Sequence, residues 1–326
     1  LLSESLNGRA VLVVGGTGFI GSAVVRELLR PSCGGPAVTD VRVLARRPLP
    51  EWMMSAGARR IPGDLMAPGS LRGCGDGVDT VLHLASYVGR DAALADAVNA
   101  AGTRALVGSA RTARFLYVST ASVYGHGPHR GVREGRLAPA PASAASASRL
   151  LAEDAVRAHG GVVLRPNLVY GPGDRWYVPL FLRLLHAVPV WPEGGRARTS
   201  VVGVRDLASV VAAFARRDWA GADRGSVYHV NHPRPVTVRS AATRLCRGLG
   251  VPVPGTDLPR AAHWELASRL LPQLSLHQHA LLTDDHYYDS TRVWDRLGLA
   301  PGPGFGAGLA ASLSWYREHL AIPRAA

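Results

Sequence analysis

The sequence predicts an α/β chain with a doubly wound parallel sheet and a smaller, mainly helical second domain. Three observations carry this. Short apolar runs alternate with longer amphipathic stretches through the first half, the pattern of consecutive βαβ units. A glycine triplet stands between the first such run and the first such stretch. The chain has 326 residues, well beyond the ~150 typical of one domain.

Strands are expected at residues 10–14, 41–44, 80–84, 115–118, 161–165 and 227–230, and helices at 22–29, 91–110 and 150–158. The stretches 30–39 and 128–147 are rich in Gly, Pro, Ala and Ser, and so read as surface connections. Residues 176–185 and 251–288 show a helical pattern with aromatic and histidine insertions, which suits a smaller domain made of segments that leave the sheet and return.

Composition excludes several classes. Apolar residues make up 47% of the chain and are spread along it, which argues for a globular enzyme. No apolar run approaches the ~20 residues of a membrane crossing, and residues 1–10 lack the charged and long apolar segments of a secretory signal. No membrane association and a cytoplasmic location are therefore the expectations. Cys33, Cys74 and Cys246 are too few and too far apart for a disulfide framework or a zinc site. The net charge is +13, yet all 37 basic residues are arginine and they are scattered, so no nucleic acid partner is expected. A vocabulary without lysine reads as coding bias.

The glycine triplet carries chemistry. Val11-Leu-Val-Val-Gly15-Gly-Thr17-Gly18-Phe19-Ile20-Gly21 follows a predicted strand and opens a predicted helix, the context a dinucleotide fingerprint needs. Glycines serve there because the turn is tight and the backbone must approach a pyrophosphate, while helix N–H groups receive the phosphates. Gly15, Thr17, Gly18, Phe19 and Ile20 are thus candidate cofactor contacts. The next strand ends in Arg46-Arg47, where an acidic residue would bind the ribose 2′-hydroxyl of NAD. Guanidinium matches a 2′-phosphate, so NADP is the expected cofactor. Asp40 precedes that strand and is badly placed to replace the arginines. The fold expected is Rossmann-type, with residues 1–170 and returning segments near 201–232 as the NADP-binding domain and 171–326 as mostly substrate-binding.

At this point the chain resembles the extended short-chain dehydrogenase/reductase family. Gly63-Asp64-Leu65 resembles the family's adenine-side loop, and Val81-Leu-His83-Leu84-Ala85-Ser86 the strand passing the nicotinamide-side ribose. Asn99-Ala-Ala-Gly102-Thr103 resembles its Asn-x-x-Gly-Thr helix start, and Ser119-Thr120-Ala-Ser122-Val-Tyr124-Gly125 its strand end. Arg165-Pro166-Asn167-Leu168-Val-Tyr170-Gly171-Pro-Gly173 resembles the nicotinamide loop, and Asp289 to Gly298 the closing pattern. The resemblance implies cofactor contacts at Asp64, Leu65, Leu84, Ala85, Ser86, Ser119, Pro166 and Leu168, and it places the family's carbonyl-orienting hydroxyl at Thr120.

One departure is chemical. Where the family carries Tyr-x-x-x-Lys, this chain has Ala145-Ser-Ala-Ser-Arg149. The missing tyrosine would donate a proton to a carbonyl, and the missing lysine would lower its pKa. Arg149 can inherit only the ribose contact, because guanidinium does not exchange its proton at neutral pH. Ser86 or Tyr87, at a strand's C-terminal end, is an alternative proton source. Tyr124, Trp176, Tyr177 and Phe181 are candidate contacts to a flat substrate, against ordinary core packing. His83 reads as a core histidine. His277, His279 and His286 lack metal-ligand spacing, so no metal is expected.

The expected function is reduction of an already activated ketone, such as that of an aromatic polyketide, by NADPH. Its small-molecule partner is then an aromatic ketone. A nucleotide-sugar epimerase or dehydratase is the first alternative, and a non-catalytic NADP(H) sensor the second.

Overall fold

The computed structural model describes residues 8–31, 37–219 and 221–320. Seven strands form its main sheet: β1 (Arg9–Val14), β2 (Val38–Ala45), β3 (Arg59–Pro62), β4 (Thr80–His83), β5 (Arg114–Val118), β6 (Val162–Arg165) and β7 (Val227–His229). Their order is β7-β6-β5-β4-β1-β2-β3, and the sheet is parallel and Rossmann-type. Val11, Leu12, Val13 and Val14 are at most 2% exposed; a strand covered on both faces needs such an uninterrupted apolar run. Strand order reverses between β1 and β4, which opens a crevice at their C-terminal ends.

The helix Phe19–Leu28 buries Gly21, Val24, Val25 and Leu28, one stripe at helical spacing. It begins three residues before the expected start because extended Gly18 serves as its N-cap. The stretch expected as one helix at 91–110 is three consecutive pieces: Ala92–Ala95, a π-helical Asp96–Ala101 and Gly102–Ser109. Asp91 caps the first piece, accepting from Leu94 N at 3.0 Å. π-turns leave little trace in apolar periodicity, and they cluster at functional sites.

The stretch 128–147 is not simply a surface connection. It contains the strand His129–Val132, paired in parallel with His286–Tyr288. It also contains the start of the helix Ala144–Ala158, six residues before the expected 150. Ser143 and Ser146 form a reciprocal capping box there, and the alanines that look like loop filler are the best helix formers. Within 251–288, too, the helices Arg260–Leu270 and Leu276–Thr283 are flanked by the strands Asp257–Leu258 and His286–Tyr288. These short strands depend on distant partners and show no local alternation.

The chain divides into two compact units. The first comprises Leu1–Val123, Ser143–Arg165 and Ala208–Tyr228; the second comprises Tyr124–Ala142, Pro166–Leu207 and His229–Ala326. Residues 124–142, 166–170, 201–207 and 229–232 thus fall in the second unit rather than in the expected first. Asp40 lies within β2 rather than before it.

The first unit holds a buried ion pair. Arg165, on β6, meets Glu153, on the helix Ala144–Ala158, through both Nε and Nη2. Glu153 is 0% exposed. The core of the second unit gathers Tyr170, Phe181, Trp191, Leu245 and Tyr316. A four-stranded sheet in that unit joins Val236–Thr237, Arg198–Thr199, His286–Tyr288 and His129–Val132 in that order. Cys74 and Cys246 are free and buried, and burial raises both thiols above their ordinary range. Cys33 lies outside the described residues. Among the described residues no helix is long and apolar enough to cross a membrane.

Candidate active site

β1 delivers the chain into a turn at Gly15, whose φ is +83°, a region that favours glycine. A Cβ at Gly15 would lie 2.6 Å from Ala85 N, and one at Gly21 would lie 2.0 Å from Gly15 O. Both glycines are therefore dictated by backbone passing backbone. Gly18 N donates to Gly15 O at 3.0 Å and closes the turn. The helix Phe19–Leu28 begins there with its first N–H groups outside the helical ladder.

The turn opens on a cleft of about 750 Å³. Gly15 and Thr17 line its floor, Arg46 and Arg47 one flank, Asp64 and Leu65 another, and Ala85, Ser86 and Tyr87 the β4 end. The Arg46 side chain is 73% exposed, and its Nη1 stands 3.9 Å from Asp64 Oδ2. Asp40, by contrast, is held by Arg42 and Arg59, at 2.8 and 2.5 Å. Burial raises its carboxyl, but the hydrogen bonds from the two arginines outweigh this and keep it below the usual carboxylate range.

Asn99 fixes the loop after β4. Its Oδ1 accepts from Tyr87 N at 2.7 Å, and its Nδ2 donates to Tyr87 O at 2.9 Å and to Ser148 Oγ at 3.0 Å. The π-turn supplies the extra residue that lets one side chain bridge a strand end and a neighbouring helix. Asn99 was noted in sequence only as part of a motif; nothing local announces this role.

At the end of β5, Arg149 Nη2 donates to Val118 O at 3.0 Å. Its Nε and the Oγ of Ser119 are buried without a hydrogen-bond partner. Thr120 is half-buried, and its Oγ1 accepts from Ser122 N at 3.1 Å, which leaves the hydroxyl proton free to be donated elsewhere. Ala145 carries no group that could transfer a proton. The other tyrosines of the first unit differ in access: Tyr117 is 0% exposed, Tyr228 bonds Asp223 at 2.9 Å, and Tyr87 lines the cleft.

His83 is a core residue, with Nε2 2.8 Å from Thr103 Oγ1. Burial, helped by the nearby Arg149 guanidinium, lowers its imidazole to about 3. The native protein therefore keeps this histidine neutral while the unfolded chain takes up a proton below ~6.5. The stability it contributes is complete above that pH and is lost progressively as pH falls towards 3. Between pH 6.5 and 5 this group alone costs about 2 kcal/mol. Burial also lowers His277 and His279 to about 4, which adds to the loss with the same sign. A urea midpoint clearly lower at pH 5 than at pH 7.5 is the expected result; equal midpoints would contradict it.

The remaining expected contacts lie in the second unit. Pro166 is buried and Leu168 half-buried, in a loop pinned by Asn167, whose N donates to Asn231 Oδ1 at 2.9 Å. Tyr124 is 2% exposed, and its hydroxyl lies 2.7 Å from His229 Nε2. Phe181 is 5% exposed in the core and stacks with half-buried Tyr177. Packing thus accounts for Tyr124 and Phe181, whereas Trp176 presents an indole 65% exposed. Asp174, unnoticed in sequence, accepts from Trp176 N, Tyr177 N and Val178 N at 2.8 to 3.0 Å and from the Tyr316 hydroxyl, and so anchors the start of the helix Tyr177–Ala187. Among the described residues no group of three or more His, Cys, Asp or Glu side chains is arranged to hold a metal.

Comparison with known proteins gives a consistent fold and mixed activities. The family model described as the NAD dependent epimerase/dehydratase family matches residues 11–230. A dTDP-glucose 4,6-dehydratase of Streptomyces griseus is 32% identical, over 95% of this chain and 94% of that protein. A 4-hydroxy-2-methyl-3-oxo-4-farnesyl-3,4-dihydroquinoline-1-oxide ketoreductase of Stigmatella aurantiaca is 27% identical, over 76% of this chain and 75% of that protein. Among solved structures, a dTDP-glucose 4,6-dehydratase from Streptomyces venezuelae with NAD bound matches with a TM-score of 0.73 at 25% identity, over 95% and 97% of the two chains.

Proposed function

The chain belongs to the NAD dependent epimerase/dehydratase family, and we propose that within it this protein is an NADP(H)-dependent ketoreductase acting on an aromatic polyketide ketone of the angucyclinone type. The observation that carries the reading is the pairing of an intact dinucleotide cleft with Ala145 and Arg149 where the family resemblance leads one to expect tyrosine and lysine. The cleft fits a dinucleotide. Gly15 and Gly21 form a cradle that a Cβ would fill, Arg46 and Arg47 offer two guanidinium groups at its flank, and Ser119 Oγ and Arg149 Nε are buried polar atoms without partners. Arg149 would hold the nicotinamide-side ribose, and Arg46 and Arg47 the 2′-phosphate.

NADPH held by these residues would supply hydride chemistry to a ketone. The protein orients the ketone, with Thr120 as hydroxyl donor to its oxygen, while a phenol on the substrate itself supplies the proton. Losing a protein-borne general acid forfeits roughly 10²–10⁴ in rate, whereas correct placement contributes effective molarities of about 10⁵–10⁸ M. Positioning outweighs the loss only when the substrate polarises its own carbonyl. An aromatic ketone beside a phenolic hydroxyl does so.

A second reading, a sugar-nucleotide dehydratase or epimerase, is favoured by the names of relatives that align over nearly the whole chain. It requires removal of a proton from an unactivated sugar hydroxyl, for which neither Ala145 nor Arg149 provides a base. NADPH absorbance followed with a phenol-bearing polycyclic ketone, with dTDP-glucose and with buffer separates the readings. The ketoreductase consumes NADPH only with the ketone. Conversion of dTDP-glucose to its 4-keto-6-deoxy product, or no turnover of any ketone, would refute it.

Substitution at the three hydroxyls tests the proton source. Thr120→Ala, Ser86→Ala and Tyr87→Phe are each expected to keep kcat within roughly tenfold of the parent, since none is the general acid. A drop beyond roughly 10³-fold in any one of them, above what orientation alone explains, would identify a protein-supplied acid.

A further inference from the structure

We infer that Arg60 is a positioning residue for recognition of the 2′-phosphate, acting through the backbone of the turn that carries Arg46 and Arg47. The inference rests on the NADP(H) reading above. β3 pairs in parallel with β2, with Arg60 opposite Val43 and Pro62 opposite Ala45. From this edge strand the Arg60 side chain reaches along the sheet to the end of β2. There its Nε donates to Ala45 O at 3.2 Å and its Nη2 donates to Arg46 O at 2.9 Å. One planar fork thus holds two successive carbonyls, and with them the two peptide planes that flank Arg46.

Such a grip has a clear consequence. At the end of a strand the ladder no longer fixes peptide orientation, and Arg46 and Arg47 are long, exposed side chains with much rotamer freedom. Fixing the backbone beneath them limits where their guanidinium groups can point. Only arginine has a rigid fork that spans two acceptors; lysine concentrates its donors at one point.

Charge adds to the case. Arg42 and Arg59 share the single carboxylate of Asp40, so these three groups together keep a net positive charge. Arg60 has no carboxylate partner among the described residues, and its positive charge stands uncompensated behind the flank of the cleft. Arg46, for its part, has a carboxylate within reach in Asp64, at 3.9 Å. With the clamp in place Arg46 and Asp64 both line the cleft, so a 2′-phosphate there would compete with Asp64 for a guanidinium whose backbone is already held.

Calorimetric binding of 2′,5′-ADP and of 5′-AMP reads the 2′-phosphate contribution directly and needs no turnover. The wild-type protein is expected to bind 2′,5′-ADP much more tightly. Arg60→Ala and Arg60→Lys are both expected to cut that preference by roughly tenfold, the scale of a lost charge-assisted pair of hydrogen bonds, while affinity for 5′-AMP and the thermal unfolding midpoint stay near wild type. Full preference in Arg60→Lys would overturn the positioning role, since charge alone would then suffice. Equal losses for both nucleotides would overturn it as well, since Arg60 would then serve general binding. If the wild type itself failed to distinguish the nucleotides, the NADP(H) reading would fall, and this inference with it.

Discussion

Glu153→Gln is expected to lower the unfolding free energy of the protein by about 3–5 kcal/mol, the usual cost of stranding one member of a buried ion pair. Glu153 is fully buried and Arg165 is 5% exposed, so the arginine left behind would keep its charge in a place that water does not reach. The amide of glutamine can accept one hydrogen bond but cannot neutralise the guanidinium. Because whole domains are stable by only ~5–15 kcal/mol, the variant should unfold well below the parent temperature. The double variant Glu153→Met, Arg165→Met removes both charges and should recover much of the loss. Equilibrium denaturation of the three proteins measures this; a single variant as stable as the parent would show that the pair is solvated or dispensable.

Gly21→Ala is expected to reduce dinucleotide affinity by more than ~100-fold, a loss of ~2.7 kcal/mol or more. The new methyl would lie 2.0 Å from Gly15 O and 2.7 Å from Gly16 Cα, and neither neighbour is a side chain that can rotate away. Gly15→Ala should act similarly, because its φ of +83° disfavours any Cβ and because Ala85 N lies 2.6 Å from that Cβ. Either change must displace the turn that aims the helix N-terminus at the phosphates. Gly18→Ala separates folding from binding. Its Cβ would meet only Gly15 O, at 3.3 Å, so the protein should fold normally and lose affinity through the methyl alone. Titration of NADP+ by calorimetry, beside thermal unfolding, checks all three; wild-type affinity in Gly21→Ala would contradict the placement of the cofactor.

The first unit was largely legible in the sequence, for identifiable reasons. Its central strands β1, β4, β5 and β6 are largely buried and so read as apolar runs, as in Val11 to Val14, whereas the exposed edge strand β3, Arg59–Pro62, carries no such signal. Its glycines answer to backbone contacts that admit no side chain, as at Gly15 and Gly21. The arginines after β2 stand where a ribose-binding acid would otherwise be expected. What the sequence hid depends on distant partners. The strand His129–Val132 exists because His286–Tyr288 lies beside it. Asn99 acts through a π-turn that leaves no periodic signature, and Arg60 works from a neighbouring strand across the sheet. Aromatic character alone did not separate Phe181, which packs inside, from Trp176, which is exposed; helical phase and the cap at Asp174 make the difference. The helix Ala144–Ala158 began in a stretch that reads as a loop because serine and alanine serve equally well in linkers and in capped helices.

On the proposed function, hydride transfer needs no protonating side chain of the protein, because the substrate carries its own acid. The most direct test compares kcat for NADPH-dependent reduction of a phenol-bearing polycyclic ketone with kcat for the same ketone after O-methylation of the adjacent hydroxyl. The account predicts that deuterium from the C4 position of labelled NADPH enters the alcohol carbon of the first product, and that the methyl ether reacts at least ~10²-fold more slowly, the lower end of what a general acid contributes. Equal rates for the two ketones would contradict it.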